Sequence, residues 1–166
     1  IVASTILAIL NQSRYLTRDS KPMERQIYAM NDSISIQEAL VYVMVIMSAA
    51  DSTMTDNELA TIGETVKTLP IFNGYDSDDV IPAAQRCSEV LQQPDGLDAV
   101  LTVITNALPT KLYDTAYAIA VDVAAADLDV RQEELRLLQM LRDRFSLDKL
   151  TVAAIERGAQ ARHKTA

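Results

Sequence analysis

The sequence is poor in the residues on which many enzyme and metal sites depend. It has one Cys, one His, four Gly and no Trp among 166 residues. A single Cys excludes a disulfide framework and a thiolate zinc site within one chain. The single His, His163, argues against a His-based catalytic triad and a multi-His metal site, and the four Gly form no phosphate-binding loop. We therefore expect the protein not to be an enzyme.

Positive charge is also scarce. Lys and Arg total 15 against 23 Asp and Glu, which gives a formal net charge of −8 and a pI near 4.6. A protein that binds the phosphate backbone needs a basic face, so this balance argues against a nucleic-acid partner. The same balance permits a bound cation or a partner with a basic surface.

Residues 1–10, IVASTILAIL, are apolar but too few to span a membrane, which takes about 20 residues. No positively charged residue precedes them and no small-residue cleavage pattern follows, so no signal peptide is predicted. They are either the clipped end of a longer protein or an amphipathic helix that docks on the domain, and we favour docking. Residues 11–33 are polar, contain Pro22 and are interpreted as a linker with at most one short helix. The predicted organisation is an N-terminal helix and linker over 1–33 and one helical domain over 34–166.

From Ser33 onward the apolar residues recur with helical spacing. In the first segment they step by four and three, at Ile36, Leu40, Val43, Met47 and Ala50. Ser35 and Glu38 form a capping box, and the interior VYVMVIMSAA is apolar almost all round, which predicts a central, buried helix. No segment alternates long enough to predict a strand. We expect an all-α fold of about seven helices plus the N-terminal one.

Prolines, turns and capping residues place the later helices. Cys87 is in register with the apolar residues of the third helix, which predicts a buried structural thiol. One helix is predicted from Pro109 to about Asp127, and the last is predicted to start near Ser146. The helix between them should bury an apolar face made of Leu135, Leu138, Leu141 and Phe145.

An internal repeat appears at an offset of 76 residues. Residues 38–59 align with residues 114–135 with six identities in 22 positions, where chance gives roughly one or two. The five core positions of the first helix map onto Leu112, Ala116, Ile119, Val123 and Ala126. The repeat predicts two related helical hairpins arranged about a pseudo-twofold axis.

Both copies of the repeat read Ala-Ala-Asp, six residues, then Glu-Leu. Asp51 and Asp127 fall at the end of one helix, and Glu58 and Glu134 fall in the first turn of the next. An Asp at a helix C-terminus faces the negative end of the helix dipole, which costs about 0.3–1 kcal/mol. Placing Asp there twice suggests that a loop amide or a cation compensates. In the simpler interpretation the Asp residues close turns and the Glu residues cap helices, Glu134 in a helix that Asp129 begins.

In the alternative interpretation the two loops meet across the pseudo-twofold axis and the four carboxylates form a metal site. Asp122 and Asp129 would then lie nearby as supporting residues. Carboxylate oxygens without His or Cys suit Ca²⁺, Mg²⁺ or Mn²⁺ rather than structural zinc. The loops do not match an EF-hand, which needs ligands at alternating positions and a Gly at its sixth position.

Over residues 36–150, the paired A-A-D-x₆-E-L hairpins in an all-helical chain resemble the TerB family of tellurite-resistance proteins. The resemblance implies a seven-helix fold with a pseudo-twofold axis and an acidic cluster proposed to bind metal. By this resemblance Asp51 and Glu58 carry the first motif, and Asp127 and Glu134 the second. It also implies a cytoplasmic role in bacterial tellurite and stress resistance, at the inner face of the membrane beside a membrane-embedded Ter protein.

The sequence departs from the TerB pattern directly after each motif Asp. The family pattern usually has Gly there, whereas this chain has Ser52 and Leu128. Leu disfavours a left-handed backbone, so the second loop is expected to have a different shape.

Two other functional hypotheses remain open at this point. The protein could be a metal-free helical interaction domain whose acidic face docks a basic or membrane-bound partner. It could also be an enzyme that uses paired carboxylates as acid and base. The sequence does not predict the oligomeric state.

Overall fold

The computed structural model describes residues 34–50, 56–126 and 130–164, without the side chains of residues 56–59. Over these residues the chain forms seven α-helices and no strand, which confirms the all-α prediction. The helices are α1 (Ile36–Ser48), α2 (Asp56–Thr68), α3 (Val80–Leu91), α4 (Gly96–Ala107), α5 (Tyr113–Ala124), α6 (Gln132–Phe145) and α7 (Lys149–Arg162). Short 3₁₀ turns cover Pro70–Phe72, Ser77–Asp79 and Thr110–Leu112. The helix and linker predicted over residues 1–33 lie outside the described residues.

Helix α1 is the centre of the domain, as its apolar sequence predicts. The Ser35 hydroxyl oxygen accepts from the Glu38 backbone N–H at 3.1 Å, which is the N-cap contact that the capping box predicts. Every residue from 39 to 48 is buried, because α1 packs against α3, α4 and α5 at once. A helix surrounded on all sides requires apolar residues around its whole circumference, which is what this segment provides.

Helix α5, the second copy of α1, is the other central element and packs against α1, α2, α6 and α7. The burial register transfers between the copies. The middle three core positions are buried in both helices, and the two outer positions are half-buried in both. The second helix of each predicted hairpin has different neighbours. Helix α2 packs on α5, whereas α6 packs on α5 and α4. The pseudo-twofold arrangement of the two hairpins stays a prediction.

Two helix boundaries differ from the prediction. Helix α5 ends at Ala124 rather than near Asp127, and α7 begins at Lys149 rather than near Ser146. Ser146 instead ends α6 with a left-handed backbone, φ 51°. The N-cap of α7 is Asp148, whose carboxylate Oδ1 accepts from the backbone N–H groups of Leu150 at 2.9 Å and Thr151 at 3.0 Å.

The buried face of α6 also differs from the prediction at one position. Leu138, Leu141 and Phe145 are buried as predicted, and Leu137 joins them, but Leu135 is 54% exposed. The buried stripe starts at Glu134 and recurs every three or four residues, so Leu135 lies one helical step to the side of it. The prediction that Leu135 belongs to the core is therefore wrong.

Within the described ranges, none of the helices combines the length and the apolar character needed to cross a bilayer. The longest of them, α6 and α7, have 14 residues each. The Cys87 side chain is fully buried in α3, as its register predicts.

Candidate functional site

Most of the predicted acidic site lies outside the described residues. This applies to Asp51, Asp127 and Asp129 in the two loops and to the side chain of Glu58, whose backbone lies in the first turn of α2. Among the described residues, no three or more His, Cys, Asp or Glu side chains are grouped so that they could hold a metal ion. The convergence of the four carboxylates is therefore still a prediction.

Glu134 is the one predicted ligand whose side chain is described. It is the third residue of α6, and it is buried, with 6% of its surface exposed. Its Oε2 atom accepts a hydrogen bond from the backbone N–H of Arg131 at 2.7 Å. Arg131, rather than Asp129, is therefore the N-cap residue of this helix. The contact fixes the Glu134 carboxylate at the junction between the second loop and α6, where the helix dipole favours negative charge.

Asp122, predicted as a supporting residue, lies in the last turn of α5. Its Oδ1 atom accepts a hydrogen bond from the Arg162 guanidinium near the end of α7, so the two residues form an ion pair. Both side chains are more than a third exposed, so solvent screens the pair. In the described structure the visible role of Asp122 is thus to join α5 to α7.

The two helix ends that precede the loop aspartates have the same local structure. The C-cap residues Ala49 and Ala125 have φ −91°, ψ −7° and φ −84°, ψ −4°. In each copy the C-cap amide donates to the carbonyl oxygen four residues back, at 2.9 Å. The next amide donates to the carbonyl oxygen three residues back, at 3.2 Å in the first copy and 3.1 Å in the second. The chain therefore leaves both helices in the same way just before Asp51 and Asp127.

A groove of about 530 Å³ opens between α5, α6 and α7. Its apolar wall is formed by side chains of all three helices and of the segment that precedes α6, among them Val121, Val130, Leu135, Leu138 and Ala159. Val130 is 38% exposed and Leu135 is 54% exposed, which leaves apolar surface open in the groove. Sequence reasoning missed this groove because it placed Leu135 in the core.

A buried tyrosine contacts charged residues that line the groove. The Tyr117 hydroxyl donates to Glu156 Oε1 at 2.7 Å, and Arg142 Nη1 lies 3.6 Å from the same oxygen. Burial, followed by the hydrogen bond to Glu156, raises the pKa of Tyr117 well above its ordinary value. Glu156 and Arg142 both line the groove. These two charged groups of the groove are thus paired with each other, and Lys164 is a further charged residue in its lining.

A similar cluster lies on the opposite central helix. The Tyr42 hydroxyl donates to Glu38 Oε1 at 3.3 Å, and Arg86 donates to the same oxygen from Nε at 2.9 Å and Nη2 at 2.7 Å. Burial first, and then the Glu38 charge, raise the pKa of Tyr42 well above its ordinary value. Tyr117 thus links α5 to α7, whereas Tyr42 donates within α1 to the carboxylate that Arg86 of α3 binds.

Comparison with known proteins identifies no relative: no family model, no curated protein and no solved structure matches this chain. The TerB resemblance therefore rests on the two A-A-D-x₆-E-L motifs.

Proposed function

We propose that this protein is a non-enzymatic, TerB-like stress-resistance protein that binds a divalent cation. The ligands in this proposal are Asp51, Glu58, Asp127 and Glu134, with Asp122 and Asp129 nearby. The observation that carries the proposal is the equivalence of the two helix ends. The helices α1 and α5 share their burial register and their C-cap geometry. In each copy of the repeat the motif Asp follows the C-cap residue by two positions in the sequence.

Electrostatics supports a cation at this position. Each motif Asp follows a helix C-terminus, where the helix dipole is negative, and the chain carries a net charge of −8. A cation held between the loops supplies positive charge to all of these groups. Carboxylate oxygens are the ligands that Ca²⁺, Mg²⁺ and Mn²⁺ prefer.

The wider role in this proposal follows from the TerB resemblance. The protein would act in the bacterial cytoplasm in tellurite and stress resistance, beside a membrane-embedded Ter partner at the inner face of the membrane. Its surface suits a protein partner better than nucleic acid, because acidic residues outnumber basic ones by 23 to 15.

Calorimetric titration of the chelator-treated chain tests the cation site directly. We expect saturable binding of Ca²⁺, Mg²⁺ or Mn²⁺ with a micromolar or lower Kd. The double variant Asp51→Asn, Asp127→Asn should lose this binding, because it removes one anionic ligand from each loop. The matched control is Asp95→Asn, Asp143→Asn, which removes the same charge from two positions outside the loops. Asn is tolerated at position 95, where the backbone is left-handed with φ 59°.

Two results would contradict the proposal. Flat titrations with all three cations would favour the metal-free alternative, in which the acidic face docks a basic or membrane-bound partner. Equal affinity in the loop variant and the control variant would show that any binding follows net charge rather than the duplicated motif.

A further inference from the structure

The groove between α5, α6 and α7 exposes apolar side chains that the described fold leaves uncovered. Four large apolar side chains of the described residues are exposed, and two of them, Val130 and Leu135, line this groove. Two of the charged residues that line it, Arg142 and Glu156, are paired with each other at 3.6 Å, and the exposed Lys164 also lines it. The groove therefore suits an occupant with an apolar face that carries no positive charge.

The chain itself contains a segment of that chemistry. Residues 1–10 carry no charge, and eight of the ten are apolar. On a helix, Val2, Ile6, Ile9 and Leu10 follow the i, i+4, i+7, i+8 pattern of one apolar face. Ser4 and Ala8 fall on the opposite face, flanked by Ile1 and Leu7. This is the anchor spacing of a helix that lies in a hydrophobic groove.

We propose that residues 1–10 form an amphipathic helix that occupies the groove between α5, α6 and α7. The connection is long enough, because residues 11–33 provide 23 residues that span up to about 75 Å when extended. A folded domain of about 130 residues has a radius of gyration of only about 14 Å. Residues 1–10 therefore reach any part of the domain surface.

Tethering favours this segment over a second copy of the chain or a separate partner helix. A linker of this length gives a tethered segment an effective concentration of the order of 1 mM. At that concentration a groove that binds the free segment with a Kd of about 0.1 mM is about 90% occupied. A second copy at micromolar concentration does not compete with the tethered segment.

Tryptophan fluorescence of the full chain tests this proposal. The sequence has no Trp, so Ile6→Trp introduces one probe on the apolar face of the segment without background. We expect the Trp to emit at a shorter wavelength in the full chain than in a free peptide of residues 1–13 with the same substitution. We also expect acrylamide to quench it less in the full chain. Adding Leu135→Asp should shift both values to those of the free peptide. The control Leu150→Asp should leave them unchanged, because Leu150 is 80% exposed on α7 and does not line the groove.

Hydrogen exchange of the unsubstituted chain gives a second measurement that does not depend on the Trp probe. The amides of residues 2–10 should exchange about tenfold more slowly than in the free peptide, and Leu135→Asp should abolish this protection. If these amides exchanged as fast in the unsubstituted chain as in the free peptide, the proposal would be overturned. Protection that survives Leu135→Asp would overturn the assignment to this groove. Protection that disappears on dilution, together with a dimer mass in sedimentation, would assign the groove to a second copy instead.

Discussion

Three buried acidic groups hold their protons more tightly in the folded chain than in an unfolded one. They are the hydroxyls of Tyr42 and Tyr117 and the thiol of Cys87, and burial is the largest cause of the raised pKa in each case. In the unfolded chain a Tyr hydroxyl titrates near pH 10 and a Cys thiol near pH 8.5. Unfolding above these pH values releases protons that the folded state retains. The free energy of unfolding therefore falls as the pH rises through this range.

We expect Tyr117 to contribute stability that is fully present below about pH 10 and is lost as the pH rises further. The folded pKa lies above the unfolded one, so the free energy of unfolding should fall by up to about 1.4 kcal/mol per pH unit for this group. Tyr117→Phe removes the ionisable hydroxyl and should reduce the alkaline slope by that amount. Urea unfolding of both chains at pH 8, 10 and 11 measures it. Parallel curves for the two chains would contradict the assignment.

The start of α4 illustrates how one backbone contact constrains an element. A Cβ atom added at Gly96 would collide with the Val90 carbonyl oxygen and would lie 2.7 Å from that of Leu91. Both neighbours are backbone atoms at the end of α3, so a side chain cannot simply rotate away. The close approach of α3 and α4 therefore requires Gly at position 96. At Gly63, within α2, an added Cβ atom would meet nothing within 4 Å, so this position has room for a side chain.

We expect Gly96→Ala and Gly63→Ala to change stability in opposite directions. Gly96→Ala should lower the free energy of unfolding by about 1–3 kcal/mol, because α3 and α4 must move apart. Gly63→Ala should raise it by about 0.5–1 kcal/mol, because Ala restricts the unfolded chain and favours the helix. Chemical unfolding followed by circular dichroism measures both. Equal changes in the two variants would show that helix propensity alone, rather than the α3–α4 contact, decides the outcome.

The elements were largely predictable because apolar periodicity is a local signal. The steps of four and three in α1 predicted a helix that is indeed buried along residues 39–48. The errors occur where a local pattern has two solutions. Leu135 fits an apolar spacing, yet α6 packs with the stripe that begins at Glu134 toward the core and leaves Leu135 exposed. Ser146 and Asp148 both resemble N-caps, and only the carboxylate of Asp148 reaches the first-turn amides.

Contacts between distant parts of the chain were not predictable from one sequence. Tyr117 and Glu156 are 39 residues apart, and Arg86 and Glu38 are 48 apart. Their meeting depends on how helices cross, which periodicity does not specify. The same reason explains the groove, which requires the positions of α5, α6 and α7 together. The carboxylate site was predicted from the internal repeat instead. The spacing of the repeated motif identifies the acidic residues but does not give the distances between their side chains.

At the scale of the whole molecule, the single thiol reports whether a cation stabilises the native fold. Cys87 is fully buried in α3 against the central helix bundle, so a thiol reagent reaches it when the domain opens. A cation that binds only the folded chain at 100 times its Kd should add about 2.7 kcal/mol, which slows labelling about 100-fold. We expect this with Ca²⁺ or Mn²⁺, which bind thiols less readily than Zn²⁺ does.

The same measurement separates a specific site from adventitious binding. The variant Asp51→Asn, Asp127→Asn should label at the same rate with and without cation, because it lacks one ligand from each loop. The variant Asp95→Asn, Asp143→Asn should retain the slow labelling, because its substitutions leave both motifs intact. If saturating cation changed the rate in none of the chains, the cation would not bind the folded state in preference to the unfolded state. The duplicated carboxylates would then be helix caps and turn residues, and the acidic surface would serve a protein partner instead.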